Sequence, residues 1–134
     1  MTNTTENTSA EVLKSIRNFI GISQYEAIRC FLRGEDGPAY NERFSAIADT
    51  IRNMPKTYET DGQGEKAIAY LHYFTSGFDF YVTEKDMGKE QVQAFGLVKG
   101  LDSELGYISI KEIISLGAEI DMHWTPKTLE EINN

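Results

Sequence analysis

Between Met54 and Lys66 the chain reads "MPKTYETDGQGEK", and the spacing of its apolar residues differs on the two sides of that stretch. Before it they recur every third or fourth position, the period of a helix; after it they recur every second, the period of a strand. A chain that changes period once in this way cannot be a helical bundle or an alternating βαβ array. It must place a helical part against a sheet, which is an α+β fold.

The helical part predicts three helices. Val12, Leu13, Ile16, Phe19 and Ile20 share a stripe, with Ser9 as N-cap and Gly21 as stop. Ser23 and Glu26 form an S-x-x-E capping box for a second helix carrying Ala27, Ile28, Phe31 and Leu32. "RGEDGP" turns the chain, Pro38 suits the first turn of a third helix, and Tyr40, Phe44, Ile47, Ala48 and Ile51 line its inner side before Pro55 stops it.

After Lys66, "AIAYLHYF", "FDFYVTE", "VQAFGLV" and "LGYIS" read as successive strands joined by short links, hence an antiparallel meander. Ser109 and Glu112 make a capping box for a short helix, "IKEIISL", and "GAEIDMHW" follows as the last strand. The expected architecture is three N-terminal helices packed on an antiparallel sheet of about five strands, with one short helix inserted before the last. Residues 1–8 read as a flexible tail. Residues 9–134 read as one domain, helical over 9–55 and a sheet over 56–134.

Charge divides at the same place. Residues 1–55 hold seven acids against six bases, while residues 56–134 hold fourteen acids against seven lysines; the net charge is −8. An acidic sheet repels phosphate, so direct nucleic-acid binding is not expected, whereas a basic protein surface suits it. No apolar run reaches the roughly 20 residues of a membrane span, and "MTNTTENTSAE" lacks the regions of a signal peptide. Cys30 is the single cysteine, read as a buried helix-face residue, and a chain without disulfides suits the cytoplasm.

Chemical motifs are sparse. A strand over "GAEIDMHW" puts Glu119, Asp121 and His123 on one face and Ile120, Met122 and Trp124 on the other. Two carboxylates and an imidazole at that spacing could ligate a cation, with His72 as the second histidine. A polar face opposite an apolar one is equally what a one-sided sheet requires, so Ile120, Met122 and Trp124 are expected in the core, with no metal and no cofactor. "ETDGQGEK" lacks the length of a calcium loop and the lysine–hydroxyl pair of a phosphate loop. There is no G-x-S-x-G. An enzyme, if this were one, would draw on His72, Glu84, Asp121 and His123.

The segments "MPKTYETDGQGEKAIAYLHYF", "DFYVTEKD", "QAFGLV", "ELGYISIKEI" and "GAEIDMHWTPKTL" carry a further pattern. In the order Tyr81–Thr83–Glu84, Phe95–Gly96, Glu104–Leu105–Gly106–Tyr107 and Asp121–His123–Pro126, the chain resembles an uncharacterised domain family of bacterial plasmids, integrative elements and phages. The resemblance spans about Ile22 to Leu129. It implies a setting, mobile DNA in a bacterial cytoplasm, and transfers no reaction. In that setting an acidic protein is expected to act by binding. The leading expectation is a non-enzymatic inhibitor of a host-defence nuclease, of anti-CRISPR or antirestriction type, seated on the nuclease's basic nucleic-acid surface. An accessory role in plasmid or phage maintenance is the alternative to that and to the small enzyme. The expected contact residues are Tyr58, Glu59, Asp61 and Glu65 in the long loop, with Phe78, Asp79, Glu84 and Asp86 around the second hairpin.

Overall fold

The protein is described by a computed structural model over residues 14–133. Ser9, Val12, Leu13 and the 1–8 tail lie outside the described residues. Of the expected first helix, the described part is Lys14 and Ser15 in helical conformation followed by a 3-10 turn, Arg17–Phe19. Among the described residues the helical part contains two long helices, α1 (Ile22–Arg33) and α2 (Gly37–Asn53). Gly21 is the extended N-cap of α1, so Ser23 falls inside the helix and the expected capping box does not form. Pro38 does sit in the first turn of α2, where its missing N–H costs nothing.

Five strands form the main antiparallel sheet: β2 (Leu71–Thr75), β3 (Phe78–Glu84), β4 (Ala94–Lys99), β5 (Ser103–Ile108) and β6 (Glu119–Ile120). Their order is β5-β4-β3-β2-β6, so the meander is intact and the last strand returns to pair with the first. Helix α3 (Ile110–Ser115) precedes β6 as expected, and the Ser109 hydroxyl accepts from the Glu112 amide at 3.1 Å. α1 and α2 pack with α3 on one face of the sheet. There Ile28, Phe44, Ile47 and Ile51 meet Leu71, Tyr73, Val82, Ile108 and Ile120 in the principal core. The helical stripe thus does what its period predicted, except that Ala27, Phe31 and Cys30 face outward. The cysteine is exposed because Ile28, two residues earlier, takes the buried side of α1.

The sheet's other face is also covered, which the sequence reading did not anticipate. "AIAYLHYF" is two strands, not one. β1 (Ile68–Ala69) pairs with β7 (Lys127–Thr128) in a separate two-stranded sheet, and Tyr70 breaks the run before β2. With a short helix, α4 (Leu129–Asn133), this small sheet forms a third layer. Ala67, Ala69, Leu97 and Leu129 make its core, joined by Tyr81, Trp124 and Ile132. α4 carries a reciprocal capping box that "TLEE" conceals among acids. The Glu131 amide donates to the Thr128 hydroxyl, and the Glu131 carboxylate accepts from the Thr128 amide at 2.9 Å.

Gly96 and a bulge set the geometry between these layers. A Cβ at Gly96 would lie 2.0 Å from the carbonyl oxygen of Tyr81, so only glycine allows β3 and β4 this approach. One step on, the register shifts between Val82 and Glu84: Val82 faces Gly96, and Glu84 already faces Phe95. Regular alternation would have sent Glu84 to the helical side. The bulge turns it outward with Thr83.

Candidate functional site

Two polar clusters occupy the outer face, and each joins residues far apart in the chain. The first is built on Glu84, which is 3% exposed. One carboxylate oxygen accepts from the Tyr58 amide at 2.8 Å. The other accepts from the Thr60 amide at 2.7 Å and from the Thr60 hydroxyl. Three neutral donors compensate this buried charge. They also pin the loop 55–66, in which Tyr58 adopts a φ of 77°. Buried Thr57 anchors the same loop, its amide donating to the Lys85 carbonyl and its hydroxyl lying 2.8 Å from the Gln93 carbonyl. The Tyr58 and Tyr107 hydroxyls are hydrogen-bonded at 2.9 Å. Glu59, Asp61 and Glu65 ride on this pinned loop and are exposed.

The second cluster surrounds His72. Its Nδ1 lies 2.9 Å from Asp121 and its Nε2 2.7 Å from Asp79. Both ring nitrogens thus lie within hydrogen-bond distance of a carboxylate. The ring stacks on Tyr81 at 4.7 Å and 8°, and Trp124 closes it from 5.1 Å. The Tyr81 phenol is pushed up by burial and further by Asp79 and Asp121. Trp124 donates its indole N–H to the Ala69 carbonyl, and Lys127 lies 4.9 Å above its ring.

This arrangement answers the "GAEIDMHW" question differently from simple alternation. The strand stops at Ile120, and a turn at Met122 and His123 follows. Ile120 and Met122 join the principal core, whereas Trp124 crosses to the opposite face of the sheet. Asp121 is half-buried and bound to His72, with its other oxygen accepting from the His123 amide. The His123 residue itself is exposed. His72, Glu84, Asp121 and His123 therefore do not converge: Glu84 belongs to the loop cluster and His72 with Asp121 to the other. Both ring nitrogens of His72 already face carboxylates. Among the described residues, no group of three or more histidine, cysteine and acidic side chains could hold a metal ion.

The eight expected contact residues separate as well. Tyr58, Glu59 and Asp61 lie together beside Glu84, while Glu65 sits further along the loop in a 3-10 turn, Gly64–Lys66. Asp79 is engaged with His72. Phe78 is at the hairpin end, its ring packed over Gly100 and 6.1 Å from Phe80. Asp86 organises the turn after β3, accepting from the amides of Gly88, Val92 and Gln93, while buried Gln91 bonds back across it. Phe95, Tyr107 and Thr60 were missed. The first two were legible only as alternate positions on β4 and β5, and nothing local marks them as neighbours of Tyr58. No helix among the described residues is long and apolar enough to cross a membrane. No protein-family model, curated protein or solved structure matches the chain.

Proposed function

We propose that this is a non-enzymatic acidic interaction protein whose pinned 55–66 loop engages a basic surface on a nucleic-acid-binding bacterial protein. The finer form of the reading is an inhibitor of a host-defence nuclease encoded by a mobile element. The observation that carries it is a contrast within the loop. Glu59, Asp61 and Glu65 are exposed, and none is ion-paired among the described residues. The backbone beside Glu59 and Asp61 is nevertheless held by a buried carboxylate, through the amides of Tyr58 and Thr60. Unpaired charge on a fixed scaffold is the arrangement that steers association and fixes orientation without an ordering cost at contact. The absence of convergence between His72, Glu84, Asp121 and His123 speaks for binding over catalysis.

The test is the triple variant Glu59→Lys, Asp61→Lys, Glu65→Lys against the partner recovered by affinity capture from a bacterial lysate. Association should slow by roughly tenfold or more at low salt and converge with the native rate as salt rises. Unchanged rates at every salt concentration, with the fold intact, would sink the reading. In a gel shift the protein alone should leave duplex DNA unbound and should release DNA from its target.

A further inference from the structure

The loop and the outer face of β4 and β5 enclose a cavity of about 340 Å³. Tyr58, Phe95 and Tyr107 are among the residues that line it. Tyr107 stands edge-to-face with both others, 6.5 Å and 80° from Tyr58 and 5.5 Å and 81° from Phe95. Asp61 and Glu84 add two carboxylates, and among the described residues no lysine, arginine or histidine lines the space. Glu84 is held by neutral donors, and neither acid is ion-paired among the described residues. The Tyr107 phenol is pushed up first by its hydrogen bond with Tyr58, then by desolvation, with Asp61 and Glu84 adding to the shift.

Aromatic walls with one exposed carboxylate, Asp61, and a second buried beneath them at Glu84 suit a cation that carries an apolar stem. The cavity also opens beside β5, the outermost strand, which among the described residues pairs only with β4 and has its other edge unpaired, as an extended chain would require. We infer that the cavity receives a lysine or arginine side chain from an extended segment of a partner protein that pairs with the open edge of β5. This rests on the reading of the protein as a binder of basic partners and specifies how one residue of such a partner would be held.

The experiment is an NMR titration of the isotope-labelled full chain with N-acetyl-lysine methylamide, N-acetyl-arginine methylamide and the uncharged N-acetyl-norleucine methylamide. The two cationic probes should give saturable shifts at the amides of Gly62, Gly64 and Tyr107, with norleucine about fivefold weaker or worse. Asp61→Asn and Tyr107→Leu, both at exposed positions, should each weaken the cationic probes by about fivefold while the rest of the spectrum stays in place. A pentapeptide with lysine between valines should bind more tightly and also shift the amides of residues 103–108. Equal binding of norleucine, no saturable shift with either cation, or indifference to both variants would overturn the cavity assignment. Silent 103–108 amides would overturn the strand pairing. The triple charge reversal reads partner association and this titration reads the cavity alone, so failure of one is distinguishable from failure of the other.

Discussion

The two faces of the central sheet are covered in opposite ways. On the helical face, Phe44, Ile47 and Ile51 of α2 meet Tyr73, Val82 and Ile108, and polar groups are few; the Tyr73 hydroxyl donates to the Phe19 carbonyl inside the core. On the outer face the apolar cluster is small, and two polar side chains, Glu84 and His72, tie down segments that apolar burial alone would leave loose. The first face is held by area removed from water, which is non-directional and tolerant of small shifts. The second depends on a few directional bonds whose loss is local. The expectation is a molecule with one globally stabilising face and one face that can open without unfolding the rest.

The sharpest way to break that comparison is to cut each face in turn. Phe44→Ala removes a side chain that is 1% exposed and should cost about 3–5 kcal/mol of global stability, measured by urea unfolding. Glu84→Ala leaves the amides of Tyr58 and Thr60 without their acceptor and should cost less, about 1–3 kcal/mol. Hydrogen exchange should locate that loss in residues 55–66, with the α2 amides still protected. If Glu84→Ala instead lowers protection uniformly, the outer face belongs to the global unit and the distinction fails.

The smallest expected effect is at the end of the outer layer. The Glu131 carboxyl is held below its ordinary value first by the Thr128 amide and then by the Thr128 hydroxyl. A depressed folded value means that its contribution is present above the unfolded carboxylate range and is lost as pH falls through the folded value. Acidification should therefore fray α4 before it affects β2–β5. Glu131→Gln should leave α4 less protected at neutral pH and abolish that part of its pH response, as read from the exchange of residues 129–133. An α4 that stays equally protected in the variant would show that Leu129 burial, not the cap, holds it.

Periodicity determined the α+β class, the meander β2–β5 and the buried stripe of Phe44, Ile47, Ala48 and Ile51, and a capping box marked the inserted α3. These are readable because each depends on residues within one or two turns or one strand of each other, where local pattern and burial agree. The Ser109 cap was readable for the same reason. The tertiary structure decided what pattern cannot carry. Ala67 and Ala69 look like the start of β2, but they belong to another layer, because β7 arrives from almost sixty residues away to pair with β1. Trp124 continues the apolar alternation of Ile120 and Met122 in sequence, yet it crosses the sheet to close over His72. Glu84 faces outward only because a bulge beside Gly96 changes the parity of β3. A shift of one residue reverses every side chain beyond it, and its energy is set by cross-strand partners that no local window contains. The loop cluster and the His72 cluster both form beyond such points, which is why their members could be picked out singly from the sequence but not assembled.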